Sequence, residues 1–453
     1  MFRPQTETVE GRLLLSTVPP VNPTNPLRPF LRPFSFTLKS PNTPLAPFQS
    51  ASKVVTFVDP TVKLTRAGHV LSGYKNYIGP FALLDANTGF IKIGSGSNIQ
   101  ANATITSNPT GRRNPTTTVL IGSNVSIGIG ATVEGPSTIG AFANTSKPTV
   151  IGPNAVINSA TIQPGAIVSA LAKVGPGVTV PSGFRVLPGA NVTTNAEASD
   201  PSLGKVVPVT AGELTQGSQM VTVYQALAQG YATLYQGNSA TGNFAASGVV
   251  PEDPPPGVFQ GNLSTILGAS AEPGSASASF EPSSGSPTFL APQGQQQQGL
   301  LFNFPARVTG AVNFFQKAED VVHALGTHDA ILADQGQPFN IGPIAKIGDR
   351  VTITSPLGSA SGALGAGSTA PIAIGNGFTA GNNAVILGAQ GVQTVIEENV
   401  TVGPGAVVQG TSIGANSTIG AGAFVENSNL PANSNVPAGA IIINNKQVGT
   451  VES

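Results

Sequence analysis

The chain has 453 residues, only 9% of them charged, with 21 basic and 21 acidic side chains that cancel. So weak a field recruits neither nucleic acid nor an anionic membrane surface, and partners must be chosen by shape. Cysteine is absent, while 55 glycines and 39 prolines are present, which excludes disulfides and thiolate metal centres and suits many short strands joined by tight turns. The length allows two or three domains, each burying its own core.

In chain order, the N-terminal FRPQTETVEGRLLLS lacks the long apolar stretch of an ordinary signal peptide. It resembles a short leader with an E-x-R-x-LLS core carried by large exported proteins of one group of bacteria. That resemblance implies export or display at the cell surface, with a cytoplasmic location as the alternative. Residues 17–52 carry proline at nearly every third or fourth position, so 1–52 reads as an extended, unpacked Pro-rich extension. No segment approaches the roughly 18 apolar residues of a membrane span.

From residue 150 the chain reads VIGPNA VINSAT IQPGAI VSALAK VGPGVT VPSGFR VLPGAN V, with Val150, Val156, Ile162, Val168, Val174, Val180, Val186 and Val192 on one track of period six. Helical spacing would be three and four, and an ordinary strand would alternate over a short run. A period of six, with a small residue four places after the aliphatic (Ala160, Ala166, Ala172, Val178), fits a left-handed parallel β-helix. Each hexapeptide is then one short strand and a corner, three make a triangular coil, and the aliphatics stack inside. The pattern returns with Ile396, Val402, Val408, Ile413, Ile419 and Val425, including one five-residue step.

The two regions match throughout: IKIGSGSNIQANATITSNP (91–109) parallels FNIGPIAKIGDRVTITSP (339–356), and VPSGFRVLPGANV (180–192) parallels LPANSNVPAGAII (430–442). Offsets of about 248 to 253 residues indicate a tandem duplication. Between the copies, PEDPPPG, GSASAS, SSGSPT and GQQQQG mark a low-complexity linker that cannot bury enough apolar surface to fold. The expected organisation is an all-β chain with the extension at 1–52, a first β-helix with a C-terminal helix at 53–236, a linker at 237–303 and a second β-helix at 304–453.

Residues 53–236 resemble a γ-class carbonic anhydrase along nearly their whole length, through FVDPT, IGSGSNIQ, IGSNVSIGIGATVEGP, VPSGFRVLPGANVTTNAEA and finally VYQALAQGY. The last piece, around Val223, Tyr224, Leu227, Ala228 and Tyr231, has helical periodicity of its own and is similar to the family's outer helix. Residues 304–453 resemble only the family's β-helical part. The family trimerises and holds zinc with three histidines at subunit interfaces, where zinc-bound water attacks carbon dioxide. The resemblance therefore implies self-association, in the family's case trimeric, and places the ligand positions at Thr106, Ile129 and Glu134 in the first copy and at Thr354, Asn382 and Leu387 in the second. None is histidine. Gln100 falls on the family's active-site glutamine, and Asp334 on the aspartate of its R-x-D segment. The arginine position of that segment carries Asp85 and Leu332, and Asn87 takes the aspartate position in the first copy. A polar residue at a coil corner commonly bonds local backbone instead.

Two of the three histidines, His323 and His328, are spaced H-x4-H, a pattern that invites zinc. They align upstream of the ligand region, however, and five residues of extended strand span roughly 16 Å, so a shared metal requires a corner to fold them together. A new site would draw on His323, His328, Asp329 or Asp334; His69 reads as a surface residue. No P-loop, Rossmann fingerprint or G-x-S-x-G elbow occurs. The expectation is a pseudoenzyme without cofactor, in a structural or binding role. The alternatives are a divergent zinc carbonic anhydrase and a hexapeptide-repeat acyltransferase, whose histidine base lies near a projecting loop.

Overall fold

The computed structural model describes residues 36–39, 56–59, 61–86, 89–107, 118–143, 147–237, 306–315, 318–333, 339–355, 371–389 and 392–452. The all-β expectation holds: the chain forms two left-handed parallel β-helices in tandem, the first accompanied by an outer α-helix. In the first, sheets of eight, seven and six strands make the three faces, all parallel except Val206–Pro208, which closes the eight-stranded sheet antiparallel to Phe184–Val186. Successive coils stack residue on residue, as along Ile105, Val133, Ile157, Val174 and Val192. These side chains, with the small residues Ala160, Ala166, Ala172 and Val178, fill a continuous core. The hexapeptide works because each strand is two to four residues long, too short to bury more than one or two side chains. Asn or Gly then takes a left-handed conformation at the corner, as at Asn102, Asn124 and Gly165.

The inward track differs from the sequence reading at its start. Ile151 and Ile157 enter the core, while Val150 and Val156 lie on the outside. A Cβ built on Gly217 of the outer helix would stand 3.2 Å from the Val150 side chain. Between Ile157 and Ile162 the step is five residues, with Ser159 at a left-handed φ of 49°; beyond it the sequence track and the core coincide. In the second β-helix Ile396, Val402, Val408, Ile413, Ile419 and Val425 are all in the core, as the period requires.

The outer helix, Ala211–Gly237, lies on the eight-stranded face. Its Met220, Val223, Tyr224, Leu227 and Ala228 pack on Phe57 and Tyr77, with the Tyr77 and Tyr224 rings 5.0 Å apart. The corresponding five-stranded face of the second β-helix shows the column Lys346, Thr379, Thr401, Thr418 and Asn435, all exposed but Thr379, which is half-buried. Aromatic side chains demand a cover on one face, and hydroxyls and amides dispense with it on the other.

The strand Arg307–Phe314 opens the second β-helix and turns a corner. Its first half pairs with Ala330–Ala333 and its second half with Phe339–Ile341, which joins two faces into one 14-stranded sheet. The strand Phe36–Lys39 pairs antiparallel with it, Phe36 opposite Phe314 and Lys39 opposite Ala311. Within the extension read as unpacked, these four residues are thus extended but docked. The linker, apart from Gly237, lies outside the described residues.

Candidate functional site at the junction of the two β-helices

The sheet built from Ala330–Ala333, Thr352–Thr354, Val385–Leu387, Val407–Gln409, Phe424–Glu426 and Ala440–Ile443 has apolar side chains on both sides. Its inner residues fill the second core. Its outer ones meet a corner of the first β-helix: Val385, Leu387, Val407, Phe424 and Ile441 pack with Ile129, Ala170 and Leu171, and Ala330 and Leu332 pack with Phe81 and Ala101. Corner asparagines bridge the same seam. Asn102 Nδ2 donates to the His328 carbonyl and to Thr352 Oγ1, both at 3.1 Å, and Asn154 Nδ2 donates to the carbonyls of Asn383 at 3.1 Å and Gly405 at 3.2 Å.

Each end of the seam is pinned by charge. At one, Arg307 places Nη2 3.1 Å and Nε 3.2 Å from Asp59 Oδ2, both side chains buried at 1% and 3% exposure. The other Asp59 oxygen accepts the Thr61 N–H and hydroxyl at 3.0 and 2.7 Å, so the buried carboxylate is fully partnered. At the other end the Glu452 N–H donates to the Gly189 carbonyl at 2.8 Å. Its Oε2 accepts the Asn191 N–H at 3.0 Å and lies 3.2 Å from Lys205 Nζ. Gly189 sits at φ +68°, and a Cβ there would fall 2.8 Å from Val451 and 2.9 Å from Ile441, so only glycine admits this approach.

The positions identified through the resemblance come together across the seam, one from the first β-helix and two from the second. Ile129 and Leu387 share the apolar cluster, and Thr354 pairs with Leu387 on the adjacent coil, its hydroxyl donating to the Leu332 carbonyl at 3.2 Å. A zinc ion needs lone pairs converging at about 2.0–2.2 Å. Two hydrocarbon side chains and a hydroxyl already committed to backbone do not fit it. The remaining three positions do not form a set: Thr106 and Glu134 are neighbours on an outer face of the first β-helix, whereas Asn382 stands exposed on a corner of the second, its Oδ1 accepting the Asp349 N–H at 3.0 Å.

The other candidates serve local structure. Gln100 Nε2 donates to Asn98 Oδ1 and Ser126 Oγ, both at 3.1 Å. His69 stacks on Phe90 with ring centroids 4.4 Å apart, and its Nδ1 lies 2.8 Å from the Gly89 carbonyl. His323 is exposed on the short helix Ala318–Ala324. His328 occupies a corner at φ +62° and meets Phe81 edge-on at 5.2 Å. Asp329, beside it, accepts the N–H groups of Gly326 at 2.7 Å and Val351 at 2.9 Å. Burial pushes its carboxyl up to about 8 against those two bonds. Asp334 and Asn87 lie outside the described residues. Among the described residues no three His, Cys, Asp or Glu are grouped to hold a metal, and no helix is long and apolar enough to cross a membrane.

Sequence reasoning missed Asp59, Arg307 and Glu452. Arg307 carries the one available signal, a lone charge in ARVTGAVNF, an otherwise uncharged run where an unpaired cation would be costly.

Residues 393–427 match the family model described as bacterial transferase hexapeptide (six repeats). No curated protein matches the chain. Similar solved structures include a "putative acetyltransferase" of Bacillus cereus, at 19% identity over 39% of this chain and 92% of that one, with a TM-score of 0.22. A hexapeptide transferase family protein of Anaplasma phagocytophilum is 21% identical over 39% and 92%, with a TM-score of 0.20. A structure from Desulfovibrio desulfuricans G20, described in the same words as the first, is 12% identical over 88% of this chain and 70% of that one, with a TM-score of 0.22. Similarity at this level conveys nothing about activity.

Proposed function

We propose that the chain is a tandemly duplicated, γ-carbonic anhydrase-like pseudoenzyme: an exported, self-associating scaffold that binds no catalytic metal. The observation that carries this reading is the packing of Ile129 against Leu387 beside Thr354. Where the resembling family gathers three imidazoles between subunits, this chain gathers hydrocarbon. An apolar seam holds two β-helices together, whereas a polar, hydrated one is needed to hold a reactive water. The purified protein is therefore expected to contain no stoichiometric zinc and to give no carbon dioxide hydration above background in stopped flow. The variant Ile129→His/Thr354→His/Leu387→His, which draws its three positions from both β-helices, is expected to gain one zinc per chain. Zinc-dependent hydration by the unmodified protein would overturn the reading.

The family-model match at 393–427 favours one second reading, an acyltransferase. Its base would have to be a histidine. His69 and His328 are held by stacking and packing, which leaves the exposed His323. Calorimetric titration with coenzyme A separates the two readings, since only the transferase binds it.

A further inference from the structure

The last coil of a parallel β-helix ends in backbone N–H groups with no further coil to accept them. In the first β-helix they are closed one by one. The Thr179 N–H donates to Asn195 Oδ1 at 2.7 Å, and Pro181, the next position facing the same way, has no N–H. Leu187 donates to the Lys205 carbonyl at 2.9 Å and Thr193 to Glu197 Oε2 at 2.7 Å. These partners are all near in sequence. Asn191 is the exception, since its N–H is held by Glu452 Oε2 from 261 residues away.

Glu452 is delivered by the last strand of the second β-helix, Lys446–Thr450. This strand folds back on Ala440–Ile443 through Asn444 and Asn445, at φ 53° and 65°, the geometry of a two-residue hairpin turn. Beyond the turn its hold is slight. The pairing slips register between Ile441 and Ile442, and all five residues are exposed. Val451 adds one half-buried side chain. The bonds of Glu452 to Gly189, Asn191, Lys205 and Lys173 lie at the surface, where each contributes about 1 kcal/mol or less. The seam itself rests on the apolar cluster and the buried pair of Arg307 and Asp59, so residues 446–452 can lift while the two β-helices stay together. Lifting uncovers the pairing edge of Ala440–Ile443 and, in line with it, the Gly189 carbonyl and the Asn191 N–H between Lys173 and Lys205.

We propose that this edge is a strand-addition site held in an autoinhibited state by residues 446–452, and that it accepts an extended peptide with an acidic side chain at the place of Glu452. Main-chain pairing supplies the affinity, and the two lysines select the acid. Gly189 leaves room for the approach. The site owes nothing to metal content or catalysis, so it stands or falls apart from the role proposed above.

Hydrogen exchange on the full-length chain, corrected for intrinsic rates, is expected to release the Asn191 amide at least about tenfold faster than the Thr193 amide, which Glu197 holds locally. Labelled peptide KQVGTVES, the sequence of residues 446–453, is expected to bind a chain ending at Asn445 in fluorescence anisotropy. Binding to the full-length chain should be about tenfold weaker, because its own strand competes at an effective concentration of about 1 mM or more. The peptide carrying Glu452→Ala should bind the shortened chain about tenfold less tightly, about 1.4 kcal/mol, and salt should weaken the parent peptide. A folded shortened chain that binds neither peptide, or both equally, overturns the proposal. Should the shortened chain fail to fold by circular dichroism, the full-length protein decides, and equal protection of Asn191 and Thr193 overturns it.

Discussion

The seven-stranded face of the first β-helix and its counterpart in the second have the same strands in the same register, share Thr104/Thr352, Thr106/Thr354 and Val156/Val407 outside, and differ sharply at five other outward positions. Asp85, Thr132, Glu134, Lys173 and Asn191 on the first stand where the second has Leu332, Val385, Leu387, Phe424 and Ile441. Every inward position on both is aliphatic. Inward residues therefore specify the coil, and outward ones specify what lies against it; the same division leaves one face under a helix and, among the described residues, its counterpart uncovered. A β-helix separates the two because successive side chains on a strand point to opposite sides.

The comparison is broken most severely from inside, where the two β-helices are alike. Val174→Asp and Val425→Asp should each bury an unpaired carboxylate and cost on the order of 5 kcal/mol, read as lost or strongly lowered thermal unfolding transitions. A Val174→Asp protein that melts normally would show the inward ladder to be misassigned. Next comes the pin at the end of the seam. Arg307→Ala leaves the Asp59 carboxylate buried without its partner and should cost about 3–5 kcal/mol in denaturant unfolding, whereas a double replacement of Arg307 and Asp59 by apolar residues should recover much of that loss. Converting the second face to the first, as Phe424→Lys, places a charge in the seam. A loss of about 3 kcal/mol and a larger radius of gyration in small-angle scattering are expected, with far-ultraviolet circular dichroism kept. The mirror change, Lys173→Phe, removes only the 3.3 Å bond from Lys173 Nζ to the Glu452 carbonyl and should cost about 1 kcal/mol or less.

The comparison is also sharpened through pH. Asp329 is held at about 8 from an ordinary 3.8, so the folded protein keeps a proton that the unfolded chain releases. Stability from this group is full below about pH 4 and declines as pH rises toward 8, by at most about 1.4 kcal/mol per pH unit. Burial also raises Glu426, on the seam face, with Arg185 opposing, and it contributes in the same direction. Asp329→Asn should flatten the decline between pH 5 and 8 in melting curves; an unchanged slope would assign it to other groups.

The fold was legible because a period of six leaves few architectures; Val168 to Val192 keep that period, and Ile396 to Val425 keep it with one five-residue step, neither interrupted by loops. Val150 and Val156 misled because adjacent aliphatics, as in Val150-Ile151 and Val156-Ile157, leave the inward member undecided until the five-residue step is located. The junction was harder to read. Periodicity shows that a side chain points outward but says nothing about what it meets, and Asp59 and Arg307 are 248 residues apart. The readable trace was continuous apolarity: Val385-Ile386-Leu387 and Ala440-Ile441-Ile442-Ile443 have no polar side to offer solvent, the mark of a strand covered on both faces. The six ligand positions were legible as losses of histidine, but that Ile129 joins Leu387 and Thr354 required the packing of the two β-helices.

The strand Phe36–Lys39 closes against residues 311–314, and that pairing sets a timetable. A chain synthesised from its N-terminus produces this strand first, yet its template emerges nearly 280 residues later, after the first β-helix and the linker have left the ribosome. Closing so long a loop costs little more entropy than closing a short one, but it cannot begin early, and contacts this remote in sequence form slowly. The first β-helix can wind coil by coil as it emerges, whereas the N-terminal strand stays unpaired until the second begins. Refolding followed by a fluorophore at residue 37 should therefore report the last step of assembly, trailing the signal from the coils.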